Sequence, residues 1–272
     1  MVERPADAAA KRFVPVGGLD PDSPRVGRVH PSPNVEPRKH GAKPTILLLH
    51  YTGMPSCERA IDWLSRPESK VSSHYVIDVD GAITQLVAED MRAWHAGVSV
   101  WRGQTDINSA SIGIEIHNPG HGDDYCDFPD KQMQAVADLS AEIIARWGIA
   151  PEGVLGHSDV APGRKIDPGE RFDWKGLADG GVGRWVEPEP PGPLIASHSR
   201  QPLPDDIEQV QRLLAAYGYG IRTDARLDGK ARDVISAFQL HFRPQRVDGV
   251  IDPSTIATLE RLIAASDLSP AA

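Results

Sequence analysis

Cysteine is nearly absent from this 272-residue chain. Its two cysteines, Cys57 and Cys126, cannot build a disulfide framework, and neither belongs to a CxxC pair, so a cysteine-based metal site is excluded as well. Long apolar runs are also missing: no stretch approaches the ~18 residues that a transmembrane helix needs. Nor is there a basic surplus, since 29 Lys and Arg face 38 Asp and Glu for a formal net charge of −9. Nucleic acid and anionic membranes both ask for a basic face, so neither is expected as the main partner. Met1 to Thr45 carry charges and prolines throughout, and the first apolar run is only Ile46 to Leu49. Without a hydrophobic region there is no recognisable secretory signal, which favours the cytoplasm, although a chain trimmed at its N-terminus would read the same.

Glycine and proline, by contrast, are plentiful, with 25 and 24 residues. Beside 40% hydrophobic and 25% charged residues they describe an ordinary globular protein rich in linkers and long loops. The punctuation divides the chain. Residues 1–44 are proline-dense and aperiodic, so an extended arm without its own core is expected. Residues 45–186 form the larger domain. Residues 187–204, with Glu-Pro-Glu-Pro-Pro-Gly-Pro, read as a stiff linker. Residues 205–272 carry three helical patterns, roughly 205–217, 229–242 and 253–265. They predict a small three-helix unit that serves as a binding or docking module, with a core separate from that of the larger domain.

Within the larger domain, Thr45 to His50 is a continuous apolar run, the pattern of a strand buried on both faces. Ser56 can cap a helix through Leu64, which Pro67 ends. His74–Val79 and Ala82–Val87 flank Asp80-Gly81, the signal of a two-residue hairpin turn. From Ser111 to His117 the chain alternates, with Ile112, Ile114 and Ile116 on one face and Gly113, Glu115 and His117 on the other. Asp130 to Trp147 follows helical spacing, with Gly148 as its stop. Strands alternating with helices predict an α/β domain around one mixed β-sheet flanked by helices.

The chemistry lies among the histidines. His50 ends an apolar strand, where ligands and metals collect beside a sheet, although a lone buried histidine bonded to a carbonyl fits equally well. His157 and Asp167 stand in the segment Gly156 to Gly169, which is rich in Gly and Pro and reads as neither helix nor strand. Metal ligation is a good reason to fix such a loop, and turn chemistry before Pro168-Gly169 is the plainer account of Asp167. Two imidazoles and a carboxylate make a three-ligand zinc site whose fourth position is left to water.

Five blocks in order carry a resemblance. They are Leu49-His50-Tyr51-Thr52, Ser73-His74-Tyr75, Ala93-Trp94-His95-Ala96-Gly97, Ser111-Ile112-Gly113-Ile114-Glu115, and Gly156-His157-Ser158-Asp159 continued by Lys165-Ile166-Asp167-Pro168-Gly169. Together, over roughly residues 30–175, the chain resembles the zinc-dependent type-2 N-acetylmuramoyl-L-alanine amidases, which share a fold with peptidoglycan recognition proteins. Through Val210-Gln211, Phe238-Gln239 and Val247 to Asp252, the C-terminal segment resembles the three-helix peptidoglycan-binding domain of type 1. The glycine-rich turn of that family is only partly present.

The resemblance implies hydrolysis of the amide between N-acetylmuramic acid, or its 1,6-anhydro form, and L-alanine of the stem peptide. It also implies one zinc ion per chain, held by His50, His157 and Asp167. Glu115 falls on the general base and Lys165 on the lysine that stabilises charge at the scissile carbonyl. Glu115 is also placed there by the strand, on the face opposite its isoleucines. His74, His95, Trp94 and Tyr51 are expected to line the cleft or bind substrate, and Trp101 to offer a face to sugar rings. The expected partners are peptidoglycan or muropeptide fragments bound by a monomer. The missing signal favours soluble fragments and the C-terminal module favours the cell envelope. Two other readings stand beside this one: a non-catalytic peptidoglycan receptor, and a zinc peptidase of different bond specificity.

Overall fold

A computed structural model describes residues 18–122, 124–192 and 202–266, so the start of the expected arm, the middle of the linker and the last residues lie outside the described residues. Two short strands, β1 (Arg28–Val29) and β2 (Val35–Pro37), precede the apolar run, which forms β3 (Ile46–Tyr51). Helix α1 (Cys57–Leu64) follows, and its Ser56 hydroxyl accepts the Arg59 N–H. Next come β4 (Tyr75–Ile77), β5 (Ile83–Gln85), β6 (Met91–Ala93), the single turn α2 (Ile107–Ala110) and β7 (Ser111–Ile116). Helix α3 (Asp130–Trp147) ends at Gly148, whose left-handed φ of 67° is the conformation a C-cap glycine supplies. Strand β8 (Val154–Gly156), the turn α4 (His157–Val160) and α5 (Trp174–Asp179) complete the larger domain. Helices α6 (Pro204–Tyr217), α7 (Gly229–Phe242) and α8 (Pro253–Ala265) form the C-terminal bundle. Asp228 caps α7 and Asp252 caps α8, each cap typically worth about 1 kcal/mol.

The six-stranded mixed sheet runs β1-β5-β4-β7-β3-β8. Only β4 and β5 pair antiparallel; every other neighbour is parallel. The β4–β5 connection is one residue longer than expected. Asp78 and Ala82 close it by a backbone bond, and Gly81 takes a φ of 83°, so Val79, Asp80 and Gly81 span the turn. The N-terminal arm is also more integrated than expected. Its β1 extends the sheet and β2 pairs with β6, while Asn34 and Arg38 are buried. Among the described residues, no helix is long and apolar enough to cross a membrane.

The two faces of the sheet do different work. Leu47, Leu49, Ile112, Ile114 and Ile116 join Val136, Leu139 and Ile143 of α3 in one core. Ile46 and Leu48 point the other way and join a cluster that continues through Ala96, Trp101, Val160 and Ala161 into Val210, Leu214, Val234 and Phe238 of the C-terminal bundle. The expectation of two separate cores is therefore corrected. The bundle shares a core with the larger domain because Trp101, on the loop before α2, is 2% exposed and packs edge-on against Tyr217 and Tyr219. Trp101 consequently lies in this seam, not in a sugar-binding cleft. Close approach there needs Gly218, where a Cβ would lie 2.7 Å from the Trp101 ring.

Candidate metal centre and active site

The face that β3 shares with the bundle ends at His50. In the parallel ladder His50 lies opposite Glu115 and Leu48 opposite Gly113. The β8 strand, on the other side of β3, leads directly into His157. The segment read from sequence as neither helix nor strand thus opens with one helical turn, fixed because the Asp159 carboxylate accepts the Gly156 N–H at 2.8 Å. A backbone bond from Ser158 N–H to the Asp167 carbonyl, 3.0 Å, then folds Asp167 back beside His157.

Three atoms converge. His50 Nδ1 lies 2.9 Å from His157 Nδ1, and each is 3.1 Å from Asp167 Oδ2. All three residues are buried. Their outer bonds decide what these atoms carry. The Ser111 hydroxyl donates to the Ile107 carbonyl at 2.6 Å, so it accepts from His95 Nε2–H at 3.3 Å. His95 Nδ1 is therefore the acceptor for His50 Nε2–H at 3.0 Å. His157 Nε2–H donates to the Ala96 carbonyl at 3.0 Å. Both Nδ1 atoms are left with bare lone pairs aimed at a carboxylate oxygen, an arrangement that repels itself without a shared cation. A tetrahedral ion with bonds of ~2.0–2.1 Å fits ligand atoms spaced about 3.3 Å apart, close to what is found here.

Electrostatics agree. Burial, with His157 adjacent, lowers the His50 imidazole to about 4, which favours the neutral ligand form. Burial would raise Asp167, but its contacts with His157 and His50 hold it well below the ordinary carboxylate range. Burial and the facing Asp167 carboxylate push Glu115 well above its usual value, with Lys165 offsetting part of that rise. Glu115 Oε2 has no hydrogen-bond partner among the described residues.

His50, Glu115, His157, Lys165 and Asp167 all line one cleft of about 460 Å³, together with Tyr51 and His95. Tyr51 donates its hydroxyl to His121 Nδ1 or accepts from it at 3.1 Å. The two remaining sequence candidates are elsewhere. His74 is fully buried: its Nδ1 accepts the Gly113 N–H and its Nε2–H donates to the Met91 carbonyl, so it braces the strands instead of meeting substrate. Trp94 is half-buried and is not part of the cleft wall. His95 reaches the cleft, but its two nitrogens are spent on His50 and Ser111.

Sequence reasoning missed Trp63 and Ile166, both on the cleft wall and 45% and 44% exposed. Trp63 carried a signal, being a tryptophan beside the buried stripe Cys57, Ala60, Ile61 and Leu64 of α1. It also missed Arg164, which donates to the Ala96 and Val98 carbonyls and ties the two cleft-forming loops together.

Comparison with known proteins bears on this site. Residues 40–170 match the family model described as N-acetylmuramoyl-L-alanine amidase, and residues 204–259 match that of a peptidoglycan binding domain. The N-acetylmuramoyl-L-alanine amidase AmiD of Escherichia coli is 38% identical over 230 residues, covering 80% of this chain and 82% of that protein. The 1,6-anhydro-N-acetylmuramyl-L-alanine amidase AmpD of Salmonella typhimurium is 35% identical over 161 residues, covering 53% of this chain and 84% of that protein. Among solved structures, AmiD of E. coli in complex with the substrate anhydro-N-acetylmuramic acid-L-Ala-D-gamma-Glu-L-Lys aligns with a TM-score of 0.72 at 36% identity. It covers 86% of this chain and 94% of its own. AmpDh3 of Pseudomonas aeruginosa with an anhydromuramic pentapeptide aligns at 0.69 and 32% identity, over 85% and 95% of the two chains.

Proposed function

The chain belongs to the N-acetylmuramoyl-L-alanine amidase family, and from that premise we propose how its residues act on an amide bond joining N-acetylmuramic acid, or its 1,6-anhydro form, to L-alanine of the stem peptide. The observation that carries the site assignment is the convergence of two bare imidazole nitrogens and one carboxylate oxygen in the cleft that Glu115 also lines. Zinc held by His50, His157 and Asp167 would supply a Lewis acid for the carbonyl oxygen and lower the pKa of water at its open position. The anhydro form is favoured by the ligands named in the AmiD and AmpDh3 complexes.

Glu115 acts as the proton carrier. Its raised pKa and unpartnered Oε2 suit a group that takes a proton from the attacking water and returns it to the leaving amine. The Lys165 ammonium, on the wall of the same cleft, balances the negative charge that develops on the scissile carbonyl oxygen. Such electrostatic contacts are typically worth about 3–4 kcal/mol of barrier. Tyr51, Trp63 and Ile166 give the cleft apolar walls for the sugar and lactyl carbons. The C-terminal helices provide the peptidoglycan-binding part.

Digestion of purified anhydro-muropeptides tests the reading. A free L-alanine amine at the peptide N-terminus is the expected product. Cleavage inside the peptide would make the protein a peptidase, and no product in the presence of zinc would make it a receptor. His157→Ala and Asp167→Ala proteins should retain no stoichiometric zinc, and full retention by either would remove that residue from the ligand set.

A further inference from the structure

The turn that carries His157 meets the C-terminal bundle through a residue outside the cleft wall. Asp159 stands two positions after His157 and is 0% exposed. Its carboxylate accepts three hydrogen bonds. Gly156 N–H supplies one at 2.8 Å, from the turn that leads into His157. The other two come from the bundle: the Tyr219 hydroxyl at 2.6 Å and His241 Nδ1–H at 2.8 Å.

Both bundle residues are held firmly. Tyr219 packs edge-on against Trp101 and is bridged to it through the backbone, while Arg102 N–H donates to the Gly218 carbonyl at 2.8 Å. The His241 ring is stacked between Trp174 of α5 and Phe242 of α7, with centroids 3.7 and 3.9 Å away. A dry carboxylate survives only when donors satisfy it, so the orientation of Asp159 depends on these two side chains. Asp159 in turn fixes the Gly156 amide. The same turn presents His157 Nδ1 and, through Ser158 N–H, the Asp167 backbone.

We propose that Tyr219 and His241, supplied by the peptidoglycan-binding module, are positioning residues for the metal centre, acting through Asp159 on the turn that carries His157. The module thereby completes the site as well as binding wall material. The proposal rests on the zinc site described above.

Zinc affinity of the full chain, measured by chelator competition, tests it, together with the visible spectrum of the cobalt-substituted protein as a report on ligand geometry. Tyr219→Phe, which keeps the ring and its packing, should weaken zinc binding about tenfold, the low end of what outer-shell changes cost. His241→Leu should do the same, and both should shift the cobalt bands. His241→Asn, which returns a donor near the Nδ1 position, should recover most of the affinity. Unchanged zinc affinity and cobalt spectra in Tyr219→Phe and His241→Leu, even with lower melting temperatures, would reduce the contact to packing and overturn the proposal. A His241→Asn protein as weak as His241→Leu would overturn the donor role of His241. A wild-type chain that takes up no zinc would instead defeat the zinc reading on which the proposal stands.

Discussion

Gly113→Ala probes the site at its least obvious support. Gly113 lies on the cleft face of β7, beneath the His95 ring. A Cβ there would sit 2.6 Å from His95 Nδ1, 2.7 Å from Cε1 and 2.8 Å from Cγ, where ordinary contact begins at 3.4 Å. The ring must retreat by most of an ångström, and His95 Nδ1 is the atom that accepts from His50 Nε2–H at 3.0 Å. Overpacking of this kind costs about 1–3 kcal/mol, and each kcal/mol lowers the melting temperature of a domain this size by about 2–4 °C. Losing the outer partner of a ligand histidine costs about 10–100-fold in metal affinity. Gly113→Ala should therefore lower both the Tm of the apoprotein and the affinity for zinc.

A double-mutant cycle isolates the cause. His95→Ala alone should weaken zinc binding, because the His50 ring loses its anchor. In that background no ring remains for the new methyl to strike, so Gly113→Ala should add little further loss of stability. Contacting residues show couplings of about 0.5–3 kcal/mol in such cycles. Strictly additive losses of Tm would refute the steric argument, and zinc affinity unchanged in Gly113→Ala would refute the anchoring of His50 by His95.

Glu115→Gln should keep the fold and the zinc while kcat falls by about 10²–10⁴, the usual share of a general acid–base; wild-type turnover would reduce Glu115 to a strand carboxylate. His74 gives a pH dependence. Burial, with Arg38 nearby, lowers it to about 3, whereas the unfolded chain binds that proton near 6.5. Acid therefore favours the unfolded state, and stability should be lost as pH falls from about 6.5 towards 3, at up to about 1.4 kcal/mol per pH unit. Burial lowers His50 and His95 as well, so they add to the slope in the same direction. His74→Gln should make it shallower without abolishing it in urea titrations of the apoprotein, and an unchanged slope would exclude His74 as a contributor. A chain ending at Gly192 should lose Tm and zinc affinity together, since Trp101, Val160 and Ala161 would lose their apolar cover and Asp159 two of its donors. Values matching the full chain would show the larger domain to be self-sufficient.

What could be read from the residues alone follows from how far each feature reaches along the chain. The strand Ile46–Tyr51, the alternation from Ser111 to Ile116 and the helix stopped at Gly148 are local patterns, and their faces placed His50 and Glu115 correctly with respect to the sheet. His157 and Asp167 were legible because one short segment holds both. The ligand role proposed for them needed the family resemblance, since nothing in the spacing says that His50, 107 residues away, points at the same spot. The supports were not legible at all. His95 was seen as a cleft residue, but its service to His50 depends on Gly113 leaving room for a ring from another loop. His74 also stands in one of the resembling blocks, but its nitrogens meet the backbone of Gly113 and Met91, whereas those of His95 meet the side chains of His50 and Ser111. The linker misled in a physical sense. Proline density sets the stiffness of a segment, but not what its two ends pack against. Whether the units share a core is decided by Trp101, Gly218 and Tyr219, which meet across more than a hundred residues of chain and carry no local periodicity. The shared core brings Tyr219 and His241 to the Asp159 carboxylate, and that contact is what the proposed support of the metal centre by the bundle stands on.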